Sequence, residues 1–277
     1  MLVPKITIVT PSYNQAKYLE DTICSVLNQN YPNLEYIIID GGSSDNSVDI
    51  IKKYEDQITY WVSEKDNGQA HAVNKGFKKV SGDIVGWLNS DDIYLPGTLD
   101  RVAYYFSKHP DVEVVYGNHV VTDQNNNHLW VKKELPFSIR RLEHHSYMSQ
   151  PATFLRRSVI NKVGYLDEKL YYLLDWEYFI RVGNVCKFKH VPDVFATYRL
   201  HKIAKTAVAQ SGQPEFLVEK MKVIERHRYN PTGNKILDKG YCVLVEMLSY
   251  LARFFVVMRS NPINYLRYVN YKRAGYR

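Results

Sequence analysis

The chain has little cysteine. Cys24, Cys186 and Cys242 are its only three, far apart and without CxxC spacing, so neither a disulfide framework nor a cysteine zinc site is expected. It also lacks an uninterrupted apolar run of about 20 residues, the length a spanning helix needs. The most apolar stretch, Tyr241 to Met258, is broken by Glu246 and Arg253, so no spanning helix is expected there. Internal repeats and low-complexity linkers are absent, and 277 residues are enough for one large core with an extension. No basic-then-apolar leader precedes the first strand signal, which places the expected location in the cytoplasm.

The first hundred residues repeat one plan of apolar strand, polar loop and helix. Lys5 to Thr10 alternates Ile, Ile and Val around Thr, and a helix is expected from about Lys17 to Asn28. Leu34 to Ile39 is a second β-branched run, after which Val48, Ile51 and Tyr54 recur at helical spacing. Thr59 to Ser63 reads as a third strand, Ala70 to Val80 as a helix, and Asp83 to Leu88 as a fourth strand. This alternation predicts an α/β fold with a mainly parallel central sheet flanked by helices, binding ligands beyond the carboxyl ends of its strands. Asp40, Asp66, Asp91 and Asp92 all fall at or near those ends.

In Trp87-Leu88-Asn89-Ser90-Asp91-Asp92 a strand delivers two adjacent carboxylates into a turn. Neighbouring like charges repel, and a hard cation such as Mg²⁺ or Mn²⁺ relieves that repulsion. A metal held with most positions open commonly serves a diphosphate. The alternative is a solvated Asp-Asp turn ahead of a segment that opens with Pro96.

Four segments, Thr10-Pro11-Ser12-Tyr13-Asn14, Asp40-Gly41-Gly42-Ser43-Ser44-Asp45, Asp66-Asn67-Gly68-Gln69 and Asn89-Ser90-Asp91-Asp92, occur in the order and at spacings that resemble the donor half of family 2 glycosyltransferases. The resemblance continues through Gln150-Pro151-Ala152-Thr153-Phe154 and Leu174-Asp175-Trp176-Glu177 to Tyr198-Arg199-Leu200-His201, covering about residues 1 to 205. It implies a GT-A fold (a Rossmann-like sheet). It also implies inverting, metal-dependent transfer of a sugar from a nucleotide diphosphate sugar, a UDP-sugar in particular, to a glycan or polyprenyl-linked acceptor. By the same resemblance Asp40 and Gly42 belong to the loop that reads the base. Thr10, Pro11, Tyr13 and Asn14 would lie over the nucleotide, Asp66, Gln69, Asn89 and Asp91 would line the ribose and donor sugar, and Asp92 would bind the metal.

The residues fit those roles physically. Asp40 is followed by two glycines, which leave its carboxylate uncrowded, although an Asp before Gly also starts an Asx turn. Trp176, Phe179 and Ile180 fall at i, i+3 and i+4, so a helix is expected to begin beside Asp175. Asp175 corresponds to the catalytic carboxylate of the family, and a helix N-terminus would keep it ionised, as a general base requires. Asp193 to Tyr198 reads as a strand, and the loop after it carries Arg199, His201 and Lys205, which by resemblance close over the diphosphate. His201 is a candidate for either metal or phosphate.

Basic and acidic residues number 8 and 14 in residues 1–100, 14 and 10 in 101–200, and 14 and 5 in 201–277. The positive charge is therefore concentrated beyond residue 205, and 206–277 reads as a basic, aromatic-rich helical extension of the 1–205 catalytic domain. Arg253 to Arg277 has six Lys or Arg and no acid among several tyrosines, which suits peripheral contact with anionic lipid at the inner face of the membrane. Packing on its own domain or on a second subunit, as a homo-oligomer, is the other reading of this extension. No nucleic-acid motif accompanies the charge. Two other functions fit the sequence less well. A sugar nucleotidyltransferase would need a glycine-rich triphosphate loop where Pro11-Ser12-Tyr13-Asn14 stands, and a non-catalytic nucleotide-sugar binding protein would not need Asp175.

Overall fold

The computed structural model describes residues 3–202, 204, 205, 213–227, 244, 247 and 251. Most of the basic extension, including Arg253 to Arg277, lies outside the described residues.

The strands are β1 (Ile6–Ser12), β2 (Leu34–Asp40), β3 (Tyr60–Ser63), β4 (Ile84–Trp87), β5 (Ile93–Tyr94), β6 (Val114–Thr122), β7 (His128–Lys132), β8 (Thr153–Arg156) and β9 (Phe188–Arg199). The helices, in chain order, are α1 (Ala16–Leu27), α2 (Ser47–Lys53), α3 (Gln69–Phe77), α4 (Thr98–Lys108), α5 (Ile139–His144), α6 (Arg157–Val163), α7 (Leu174–Gly183) and α8 (Pro214–His227).

The nine strands among the described residues join one sheet in the order β3-β2-β1-β4-β8-β6-β9-β5, with β7 paired to β6. The donor half, β3-β2-β1-β4, is parallel throughout. The second half is mixed, because β8 runs antiparallel to both β4 and β6 while β9 runs parallel to β6. Two-residue periodicity divides the core between the sheet faces. Val9, Ile37, Ile39, Val85 and Trp87 join one cluster with Val73, Phe77 and Ile180, whereas Ile6, Ile8, Tyr36, Ile38 and Ile84 join another with Leu19, Ile23 and Val102. Both faces are covered, which is why the parallel strands read as near-continuous apolar runs.

β1 continues past the expected end at Thr10 through Pro11 to Ser12. Its pairing with β4 stops at Val9, so Pro11 pairs on one side only, with Ile39, and the missing N–H of Pro11 breaks no ladder. The register then sets Ser12 beside Asp40 and Asp40 beside Ser63, gathering three strand ends at one edge of the cleft. β9 begins at Phe188, earlier than the expected Asp193. Its first half pairs with Val114 to Tyr116 before a bulge, and Lys189, His190 and Pro192 there hide it from a hydrophobic-pattern reading.

Candidate active site

The acidic turn sits between β4 and β5. The Leu88 amide donates to the Val9 carbonyl and the Asp92 amide to the Asn89 carbonyl, so the chain reverses directly beyond the strand end. Asn89 is fixed by two donors on its Oδ1, Trp87 Nε1 at 2.8 Å and Gln69 Nε2 at 2.7 Å. Thus Gln69 and Asn89, expected at the donor sugar, form one buttress.

The two carboxylates of this turn have different surroundings. Asp92 is buried and its Oδ1 accepts from the Arg199 amide at 3.0 Å. Burial and the neighbouring Asp91 charge push the Asp92 carboxyl well above the usual carboxylate range. Asp91 is partly exposed, and its Oδ2 lies 2.9 Å from His201 Nε2. The oxygen that faces His201 therefore belongs to Asp91, while Asp92, expected to bind the metal, accepts from the end of β9.

Asp91 and His201 fit a divalent ion. Ligands about 2.1 Å from an octahedral ion stand about 3 Å apart when adjacent, close to the 2.9 Å observed. His201 is 4% exposed, and its Nδ1 is buried without a hydrogen-bond partner among the described residues. Tyr18 packs beside the imidazole at 4.8 Å between ring centroids. No group of three His, Cys, Asp or Glu side chains able to hold a metal occurs among the described residues. A two-ligand protein site leaves the other positions for phosphate oxygens and water, as Mg²⁺ prefers.

Arg199, expected at the diphosphate, is held by the acidic turn and by α1. Its Nε donates to the Asp91 carbonyl at 2.8 Å, its Nη2 to Asp21 Oδ2 at 3.1 Å, and its guanidinium lies 4.5 Å from the Tyr18 ring centroid. With 3% exposure, it braces the acidic turn from behind. Tyr18 and Asp21, which complete this brace from α1, carry no sequence signal that would have marked them.

Asp40, expected to read the base, is fully buried. Its Oδ2 accepts from the amides of Gly42 and Ser43 at 3.1 and 2.9 Å and from Ser63 Oγ at 2.7 Å, and Ser43 Oγ donates to Oδ1. The Asx turn therefore organises the loop and engages both oxygens of the carboxylate. Gly42 at φ +79 takes a conformation that side chains resist, and a Cβ on Gly41 would lie 2.6 Å from Asp66 Oδ2. Asp66 in turn accepts from the Gly68 amide at 2.8 Å. Asn14, at φ 51, ties the first loop to this one through its amide to Ser43 Oγ and its Oδ1 from the Ser44 amide, both 2.8 Å. Thr10 and Pro11 are buried in β1, with Thr10 Oγ1 accepting from Tyr36 at 3.3 Å, whereas Tyr13 is 61% exposed and free to serve as a platform.

Asp175 is the second residue of α7 and its Oδ1 accepts from the Trp176 amide at 2.8 Å. Burial raises its carboxyl above the ordinary value, opposed by that amide and by the charges of Lys132 and Lys205. Lys205 connects the halves of the cleft. Its ammonium is pulled down to about 8 by burial, opposed by the charges of Glu219, Asp66, Asp175 and Asp91. It donates to the Tyr171 carbonyl at 3.2 Å and lies 4.0 Å from the centroid of that ring. Asp66 and Asp91 from the first half and Asp175 from the second are thus within electrostatic reach of one cation.

Residues 7–164 match the family model described as Glycosyl transferase family 2. An uncharacterized glycosyltransferase of Rickettsia typhi is 31% identical over 224 residues, covering 77% of this chain and 69% of that protein. One from Mycobacterium tuberculosis is 27% identical over 256 residues, covering 91% and 95%. Among solved structures, residues 1–349 of S. aureus TarS in complex with UDP-GlcNAc superimpose with a TM-score of 0.67 at 18% identity, covering 96% of this chain and 79% of that one. Against a longer TarS structure the match covers only 39% of that chain. A mannosyltransferase of Pyrobaculum calidifontis, in complex with GDP-Man and Mn²⁺, gives a TM-score of 0.63 at 18% identity, covering 99% and 81%. Taken with the parallel donor half and the cleft at its strand ends, these matches show that the chain belongs to the family 2 glycosyltransferases.

Proposed function

We propose that this glycosyltransferase moves a sugar from a nucleoside diphosphate sugar, a UDP-sugar foremost, to a hydroxyl of a glycan or lipid-linked acceptor, inverting the anomeric centre. The observation that carries the reading is the pairing of Asp91 with His201 at 2.9 Å, in a cleft where the charges of Asp66, Asp91 and Asp175 all act on Lys205. Donors of this class are bound by the structural neighbours, UDP-GlcNAc in one and GDP-Man with Mn²⁺ in the other. In this chain the donor loop joined by Asn14, Asp40, Gly42 and Ser43 would receive the nucleoside, with Tyr13 against the base. Asp91 and His201 would hold Mg²⁺ or Mn²⁺, which when bound neutralises charge growing on the diphosphate.

Asp175 would accept the proton of the attacking hydroxyl. That hydroxyl becomes far more acidic as the glycosidic bond forms, so a carboxylate with a moderately raised pKa suffices. Lys205 keeps the acids of the cleft from repelling one another and can donate to a phosphate or sugar oxygen. Single attack from the face opposite the leaving diphosphate gives inversion.

The catalytic domain of this reading spans 1–205. The basic extension 206–277 would bring it to anionic lipid at the cytoplasmic face of the membrane, which suits a lipid-linked acceptor. No described helix is long and apolar enough to cross a membrane. Calorimetric titration with a panel of nucleoside diphosphates, with and without Mn²⁺, tests the donor reading. Metal-dependent binding of one nucleotide is expected, and a folded native chain that binds none would overturn it.

A further inference from the structure

Helix α7 begins without a cap of its own. Leu173 stands at its N-cap position and offers no side-chain acceptor, and the amides of the turn before the helix take their partner from another element. That partner is Glu219, from the middle of α8. One of its oxygens accepts from the Tyr171 amide at 2.8 Å, and the other accepts from Tyr172 at 2.8 Å and Leu173 at 2.6 Å. Three consecutive N–H groups converging on one carboxylate form an anion nest, filled here by the protein's own side chain. Glu219 is 9% exposed, and the amides it serves lie two to four residues before Asp175.

The rest of α8 holds it in this position. Val223 is buried in the core cluster that contains Trp176 and Ile180. Phe216 meets Tyr172 edge-on, with ring centroids 5.8 Å apart. At the C-terminal end of α8, Arg226 pairs with Asp167 at 2.8 Å and His227 with Glu177 Oε1 at 3.0 Å. The helix is thus tied to the chain before, at and after the start of α7. Lys205 completes the clamp from the other side, because it donates to the carbonyl of the same Tyr171 whose amide Glu219 receives.

We propose that Glu219 is a positioning residue for Asp175, a carboxylate supplied by α8 that fixes the turn leading into α7 and so presents the base to the cleft. Nothing in Glu219 touches the reacting atoms; it acts through the backbone of residues 171–173. The inference rests on the reading of Asp175 as the base. It makes α8, which lies beyond the residues matched by the family model, part of the machinery rather than a tether.

Two variants separate this role from mere packing. Glu219→Ala removes the carboxylate and leaves a space that formate can enter, whereas Val223→Ala loosens the same helix without touching the amides. Turnover is read as nucleoside diphosphate release from whichever of UDP-GlcNAc and GDP-mannose the native chain consumes, with nucleotide affinity measured in parallel by calorimetry. For Glu219→Ala we expect kcat at least tenfold lower, nucleotide Kd within twofold of native, and recovery of most of the lost kcat in formate. Val223→Ala should lower Tm and not respond to formate. Native kcat in Glu219→Ala, or a loss matched by Val223→Ala and indifferent to formate, would overturn the proposal. If the native chain consumes neither donor, amide hydrogen exchange decides independently of the activity. Exchange at 171–173 at least tenfold faster in Glu219→Ala than in Val223→Ala supports the clamp, and equal rates refute it.

Discussion

Replacing Asp175 by Asn should move activity and stability in opposite directions. The amide is nearly isosteric and its oxygen can still accept from the Trp176 amide, so the local hydrogen bond at 2.8 Å survives. What disappears is a carboxylate whose ionised form is disfavoured by burial. A neutral side chain avoids that cost, so the melting temperature should stay level or rise. A general base contributes roughly 10²- to 10⁴-fold, which corresponds to about 3 to 5.5 kcal/mol of barrier. kcat should fall by that factor while nucleotide affinity is retained.

The pH dependence has a definite sign. Because the Asp175 carboxyl is raised above 3.8 in the folded chain, the folded state binds the proton more tightly than the unfolded state. Its contribution to stability therefore falls as pH rises from the unfolded value through the folded one. Transfer activity should rise across that same window, as the base loses its proton. Initial rates and thermal melts followed upward from about pH 4, the ordinary carboxyl value, on both proteins test this. Transfer by Asp175→Asn within threefold of native would remove the base assignment.

Calorimetry with Mn²⁺ and nucleotide should separate the two adjacent acids: Asp91→Asn or His201→Ala should abolish metal-dependent binding, whereas Asp92→Asn, which keeps an acceptor for the Arg199 amide, should retain most of it. The reverse pattern would make Asp92 the ligand. Glu35 accepts from Lys5, Ser81 and Thr7 with its side chain 7% exposed, and despite opposing desolvation these hydrogen bonds hold its carboxyl down to about 2. Glu35→Gln should cost about 2 kcal/mol at neutral pH after allowing for the partly exposed Lys5. Because a depressed pKa stabilises above the unfolded value and the effect fades as pH falls toward the folded one, that difference should shrink between pH 5 and about 2. Urea melts showing a pH-independent gap would refute it. Gly76→Ala would drive a Cβ into Val9 Cγ1 where α3 crosses β1, and overpacking of this kind costs about 1–3 kcal/mol. A Val9→Ala partner mutation should recover part of that loss, and strict additivity of the two would argue against the contact.

The donor half was readable because its signals are local. Alternating β-branched residues fold into strands buried on both faces, and Gly42 and Gly68 mark backbone turns at φ +79 and +107. Individual roles were less readable wherever they depend on partners distant in the chain. Asp40 looked uncrowded beside two glycines, but Ser63 arrives from β3 and the Asx turn closes on it. Arg199 and His201 sit two residues apart in one basic loop, yet the strand end turns one back against Asp21 and the other toward Asp91. Glu219 gave only the signal of an acid on an amphipathic helix; its significance comes from three amides more than forty residues earlier.

The bond from the Arg199 amide to Asp92 and from its guanidinium to the Asp91 carbonyl joins the end of β9 to the acidic turn in two places. Mechanically this is a rivet. Displacing either segment drags the other, so His201 and Asp91 keep their spacing through thermal motion that would separate side chains borne on independent loops. The floor of the cleft then acts as an anvil.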